Sequence, residues 1–236
     1  MKICICIPCY EEGENLKDLL PAINKFIDEK VKVYIIDRVE QDKKIQAICK
    51  DNDAKYLNRK NDDSFGSAIR RALEISNEGN FDWLITMDAD FSHSPSDLNK
   101  ILNKINHNEH DIIIGSRYIE GGGTENNFIL KLMSRTLNIV YAKYLKLNIK
   151  DVSNNFKAYR SCKISSIELV ENNFEVVEEL LAKCLFTNNN LKVIEIPTYF
   201  NNRLKGKSKR KLLNFIFTLF ITLIRLKKLK NETIKT

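Results

Sequence analysis

Three features of the sequence predict an α/β fold, a mostly parallel sheet with helices on both faces. Short apolar runs of strand character alternate with helical patterns from the first residues onward. Each of the first three runs that reads as a strand closes on polar, ligand-like residues: Tyr10 and Glu12, then Asp37, then Asp88 and Asp90. The third run, Trp83-Leu84-Ile85-Thr86-Met87, drives directly into two carboxylates one residue apart, followed by a polar turn and Pro95. Like charges this close repel unless a cation sits between them or one stays protonated. Ligands of open α/β sheets bind beyond the carboxyl ends of the strands. The stretch therefore reads as a divalent-metal site holding a phosphorylated ligand.

The elements justify this in order. Residues 2–7 alternate Ile and Cys as a first strand, and Leu16, Leu19, Leu20, Ile23 and Ile27 then follow helical spacing. Residues 31–36 form a second strand ending at Asp37, and Ile45, Ile48 and Cys49 mark a second helix. A polar stretch over 58–64 leads to Phe65-Gly66-Ser67-Ala68 and a third helix running to about residue 77. Right-handed crossovers then place the three polar strand ends on one edge of the sheet. After Pro95 comes a helix over 98–105, and residues 111–118 form a strand running into Arg117. Residues 120–124, rich in glycine, read as a mobile loop. A long amphipathic helix spans about 128–145, a turn and strand follow over 151–160, a helix covers 176–185, and a last strand covers 191–196.

The 236 residues are 43% hydrophobic, enough for one well-buried domain, taken as 1–202. Residues 203–236 form an appendage with eleven Lys or Arg against one acid, Glu232, although the whole chain carries only +7. A mildly acidic body with a basic tail points to a polyanionic partner. Within that tail, 212–224 is an apolar run short of the roughly 20 residues that span a bilayer, so it reads as an interfacial or core-docked helix. The cations cluster beside this run rather than among exposed aromatics, which argues against nucleic acid. The six cysteines are scattered, no second ligand cluster follows Cys4, Cys6 and Cys9, and nothing ahead of them reads as a secretory leader. A reducing, cytoplasmic setting is expected.

In this order the residues resemble the inverting family 2 glycosyltransferases of the GT-A fold, and within them the polyprenyl-phosphate (dolichyl-phosphate) mannose or glucose synthases. The matching pieces are Pro8-Cys9-Tyr10-Glu11-Glu12 with Asn15-Leu16, Asp37, Gly66 with Ala68, Asp88-Ala89-Asp90 with Ser92-His93 and Pro95, and Gly115-Ser116-Arg117-Tyr118. Gly121 to Gly123, Ser134-Arg135, Phe156-Lys157-Ala158-Tyr159-Arg160, Glu179, and Arg203 with Gly206-Lys207-Ser208-Lys209 complete the set. Two pieces depart from the pattern. Arg38 stands where the family has a second acid after Asp37, and Asn154-Asn155-Phe156-Lys157 stands where the branch has Ser-Gly-Phe-Arg.

The resemblance implies transfer of a hexose from a nucleotide sugar, GDP-mannose ahead of UDP-glucose, to a polyprenyl phosphate. Asp88 and Asp90 are the expected ligands of Mg²⁺ or Mn²⁺, with Asp90 the first choice for direct coordination. Pro8, Tyr10, Glu12 and Asp37 would hold the nucleoside. Arg117, Arg203 and Lys209 would form a phosphate clamp, with Lys131, Ser134 and Arg135 more simply read as a solvated helix face. An ionised phosphate acceptor is already a nucleophile, so the work is positioning and charge stabilisation, with inversion by direct displacement. The 121–123 loop and 204–209 are expected to order over bound substrate. The basic tail suits an anionic membrane surface at the cytoplasmic face. The rivals are a family 2 transferase with a glycan or glycolipid acceptor, and a non-catalytic anion- or nucleic-acid-binding protein.

Overall fold

A computed structural model describes residues 1–188, 190–202 and 212–233. In chain order the elements are β1 (Ile3–Pro8), α1 (Gly13–Asn24), β2 (Val31–Asp37), α2 (Lys43–Asp51), β3 (Lys55–Asn58), α3 (Phe65–Glu78), β4 (Trp83–Thr86) and α4 (Pro95–His107). They continue as β5 (Ile112–Ser116), β6 (Gly123–Thr124), α5 (Phe128–Leu145), β7 (Lys157–Arg160), α6 (Val176–Thr187), β8 (Val193–Pro197), β9 (Tyr199–Phe200) and α7 (Leu212–Thr233). The main sheet has the order β3-β2-β1-β4-β7-β5-β8, and β6 pairs with β9 in a separate two-stranded ribbon.

β1 lies parallel between β2 and β4, with Pro8 opposite Ile36 and Cys6 opposite Thr86, so the three expected strand ends share one edge. The exception to the parallel rule is β7, which runs antiparallel to both of its neighbours, β4 and β5. Its beginning therefore arrives at the edge where the other strands finish.

The period-2 pattern of β1 explains the two-sided burial. Cys4 and Cys6 enter one apolar cluster with residues of α3, α5, α6 and α7, while Ile3, Ile5 and Ile7 enter the other with α1, α2 and α4. All six cysteines are free, and five are buried, where a thiol packs as a small apolar group. Helix starts are fixed locally: Asp42, Ser64, Ser94 and Asn127 each accept from a backbone N–H of the first turn of α2, α3, α4 and α5.

Several elements differ from the sequence reading. β3 falls just ahead of the polar stretch and is a half-exposed edge strand, too short and mixed in character to announce itself. The 120–124 loop is tied down, since Gly123 and Thr124 pair with Tyr199 and Phe200. Gly122 has no room for a side chain there: an added Cβ would lie 2.4 Å from the Ser116 carbonyl oxygen. The apolar run at 212–224 is part of a longer helix, α7. Its Leu219, Leu223 and Leu226 pack into the core, each worth about 1.5–3 kcal/mol on full burial. Among the described residues, no helix is long and apolar enough to cross a membrane.

Candidate functional site

The edge assembled by β1, β2, β4 and the start of β7 carries the site. Two of its turns contain residues in the left-handed backbone region that are neither glycine nor asparagine: Glu11 (φ 60) and Phe91 (φ 63). Such conformations persist only where surrounding contacts enforce them. Each is adjacent to expected site residues, Tyr10 and Glu12 in one case and Asp90 in the other.

Beyond β4, each aspartate is oriented by hydrogen bonds. Asp88 Oδ1 accepts from Asn155 Nδ2 at 2.8 Å, and the Asp88 backbone N–H donates to His93 Nδ1 at 3.1 Å. His93 Nδ1 is thereby the acceptor nitrogen, so Nε2 carries the proton and donates to Asn154 Oδ1 at 2.8 Å. The imidazole is buried, stacked on Phe156 at 5.0 Å with Phe200 edge-on at 5.5 Å. These contacts make it a brace of the turn after β4. Asp90 Oδ1 accepts from both the backbone N–H and the hydroxyl of Ser92. Asp88 is 29% exposed in its side chain, whereas Asp90 is 4% exposed.

The chemistry of this donor set suits a small hard cation. Two carboxylates stand close in sequence at a strand end, and among the described residues no three His, Cys, Asp or Glu side chains gather into a complete ligand cage. In general Mg²⁺ needs few protein ligands, one or two carboxylates with substrate phosphates completing its shell. Asp88 and Asp90 are the residues that would hold it.

Asn154 connects this corner to the next strand. Its Nδ2 donates to the Gly115 carbonyl at 2.7 Å, and its backbone N–H donates to Asp151 Oδ1 at 3.2 Å. Asp151 is fully buried and takes both arms of Arg117, from Nε at 2.8 Å and Nη2 at 2.7 Å, while Nη2 also reaches Ser153 Oγ at 2.9 Å. Burial alone would raise the Asp151 carboxyl, but the charge and hydrogen bonds of Arg117 outweigh it and hold the group below its ordinary 3.8. Burial likewise works against the Arg117 charge, and Asp151 reverses that and raises it. Arg117, expected in a phosphate clamp, thus reaches the expected edge as one half of a buried bidentate pair. Lys157 is also fully buried and donates to the carbonyls of Val152 and Asn154. Its burial lowers the ammonium to about 8, only partly offset by Asp151.

At the ends of β1 and β2, two guanidinium groups approach the Tyr10 ring, Arg38 at 5.6 Å and Arg59 at 5.9 Å from its centre. Arg59 ties its loop inward by donating to the carbonyls of Cys9 and Asp63. Asp37 is buried, and burial raises its carboxyl despite hydrogen bonds from the Arg38 backbone and Tyr56. Its Oδ2 accepts from the Tyr56 hydroxyl at 3.1 Å. Glu12 Oε2 accepts from Asn15 Nδ2 at 2.6 Å at the start of α1, with Pro8 closing β1 just before.

Of the expected site residues, the structure brings Pro8, Tyr10, Glu12, Asp37, Asp88, Asp90 and Arg117 to one edge. Arg203 and Lys209 lie outside the described residues. Tyr56, Arg59 and Asp151 carry no signal in the sequence, where they look like strand and loop residues of no special kind. Asn154 and Asn155 stand out in the sequence only as departures from the family pattern, which is the one signal for them. Lys131 and Arg135 are exposed on α5, in keeping with a solvated face, while Ser134 accepts from the Tyr118 hydroxyl at 2.7 Å. Glu179, buried in α6, accepts from the backbone of Val170 and Glu171.

Residues 4–165 match the glycosyl transferase family 2 description. A dolichol-phosphate mannosyltransferase from Pyrococcus furiosus is 32% identical over 218 residues, which cover 89% of this chain and 60% of that protein. The chain thus spans well under the full length of this relative. An undecaprenyl-phosphate mannosyltransferase from Micrococcus luteus is 27% identical over 220 residues, covering 89% of this chain and 87% of that one. Among solved structures, a glucosyl-3-phosphoglycerate synthase from Mycobacterium tuberculosis, in complex with Mn²⁺, uridine diphosphate and glucosyl-3-phosphoglycerate, superposes with a TM-score of 0.72. The match covers 96% of this chain and 80% of the other at 13% identity, a likeness of fold alone.

Proposed function

The chain belongs to glycosyl transferase family 2, and on that premise we propose that it moves a hexose, mannose first, from a nucleoside diphosphate sugar to a polyprenyl phosphate, with inversion. The observation that carries this reading is the pair Asp88 and Asp90 beyond β4, joined through Asn155, Asn154 and Asp151 to Arg117 just after β5, across the intervening β7. Two mannosyltransferase relatives with polyprenyl-type phosphate acceptors support the choice of sugar and acceptor.

Asp88 and Asp90 would hold Mg²⁺ or Mn²⁺, which when bound supplies positive charge to a departing diphosphate. Asn155 and Ser92 fix the two carboxylates, so little reorganisation is needed as charge develops. Tyr10, Glu12, Asp37 and Pro8 take the nucleoside, leaving the sugar beside Asp88. Arg203 and Lys209 would supply the positive charge on the acceptor side, beside the Arg117–Asp151 pair, whose own charges offset each other. No general base is required, because a phosphate monoester is ionised at neutral pH.

The test is incubation with a panel of nucleotide sugars, divalent metal and either short polyprenyl phosphates or glycan acceptors, reading product masses. Mannosyl polyprenyl phosphate is expected. Transfer only to a glycan would replace the acceptor, and transfer to nothing, together with nucleotide binding, would leave a binding protein.

The acceptor's setting is proposed to be an anionic membrane at its cytoplasmic face. Adjacent helices α5 and α7 leave large apolar side chains in solvent, Phe128 at 77%, Ile129 at 68% and Phe220 at 63% exposed, with Ile221 and Ile224 beside the last. Exposed apolar side chains on helices that also carry Lys and Arg favour the lipid interface. Changing Phe128 and Ile129 together to glutamate is expected to reduce sedimentation with phosphatidylglycerol vesicles while retaining transfer to a short, detergent-dispersed acceptor. Unchanged sedimentation would remove α5 from the membrane contact.

A further inference from the structure

The nucleoside corner contains polar atoms that the fold itself leaves unanswered. Asp37 Oδ1 is buried and has no hydrogen-bond partner among the described residues, and the same holds for Nε of Arg38. Glu11 stands 3.8 Å from Arg38 Nη1, an ion pair beyond hydrogen-bond reach. Buried polar atoms are paired in the great majority of cases, so each of these orphaned atoms calls for an explanation, and a bound ligand supplies one. The Arg38 guanidinium is held over the Tyr10 ring, so its planar fork is oriented before any ligand arrives.

We propose that Arg38 sets the base preference of the nucleotide site by donating to O6 and N7 of guanine, while Asp37 accepts from the N–H groups on the same base. The inference rests on the reading of this edge as a nucleoside diphosphate site. Guanine presents two adjacent acceptors that match a guanidinium fork, and two adjacent donors, N1–H and the 2-amino group, that match a carboxylate. Uracil offers a single N–H between two carbonyl oxygens. A carboxylate facing that N–H also faces a carbonyl, and the fork finds one acceptor in place of two. The residue following Asp37 therefore discriminates between the two bases, and arginine favours guanine. Arg59, the other cation on Tyr10, donates to the Cys9 and Asp63 carbonyls and serves its loop.

The test is calorimetric titration of the wild-type protein, Arg38→Ala and Arg38→Lys with GDP and with UDP, each in the presence of Mg²⁺. Wild type is expected to bind GDP at least about tenfold more tightly than UDP. Both variants are expected to bring the ratio to within about threefold through loss of GDP affinity, with UDP affinity held, which also reports that they fold. Lysine keeps the charge and removes the fork, so a full guanine preference in Arg38→Lys would overturn the bidentate contact. Equal affinities in wild type, a preference surviving in Arg38→Ala, or a parallel loss of both nucleotides would overturn the role of Arg38 and leave the transferase reading standing. Binding of neither nucleotide by wild type would remove that reading and this inference together.

Discussion

Replacing Asp90 with asparagine is expected to lower the rate of transfer by about a thousandfold, the scale on which a preorganised charge-stabilising group acts. The substitution is chosen because it preserves shape. An amide oxygen still accepts from the Ser92 backbone and hydroxyl, so the turn after β4 keeps its bonds and only the charge is withdrawn. Asp88→Asn is the companion, since Asn155 Nδ2 can still donate to the remaining oxygen. Initial rates at saturating metal, with circular dichroism as the fold control, make the measurement. A folded Asp90→Asn protein working within tenfold of wild type would sink the assignment of this pair to charge stabilisation, whatever the sugar proves to be.

The largest stability effect is expected from Asp151→Ala. Its loss leaves the Arg117 guanidinium, 8% exposed, without its counter-ion. Breaking a buried pair in this way costs about 3–5 kcal/mol, to be read from urea unfolding. Removing both partners is expected to cost less than the sum of the two single changes, because no orphaned charge remains. The pH dependence has a definite sign. The folded carboxyl lies below its ordinary 3.8, so its contribution is present above that value and is lost as pH falls through the lower folded value. Asp151→Asn should lack this portion of the acid-induced loss. A single variant as stable as wild type would mean that Arg117 finds another anion.

The sequence made the three parallel strand ends legible because each is a mostly apolar run that leads into polar residues, and parallel crossovers leave little freedom in where such ends fall. It did not show that β7 is reversed. Lys157-Ala158-Tyr159-Arg160 is four residues long with a charge at each end, and direction is a property of the neighbours it meets rather than of its composition. The Lys157 side chain would be assigned to solvent on sight, yet it is buried over carbonyls of the loop before it. Asp151 was hidden for a similar reason. An aspartate in a polar turn looks like any turn aspartate until the arginine 34 residues before it in the chain is folded against it. Asp37 and Asp88 were easier, since an acid at the end of a buried strand already conflicts with its surroundings.

The reversal of β7 has a consequence for kinetics. Because its first residues arrive where the other strands finish, the stretch 151–157 touches Asp88, on the proposed donor side, through Asn155, and Arg117, on the proposed acceptor side, through Asp151. A shift in this one stretch moves both halves together. Substitutions at Asn154 or Asn155 should therefore change the apparent Michaelis constants of sugar donor and lipid acceptor in the same experiment, and a study that varied one substrate alone would assign the residue to the wrong partner.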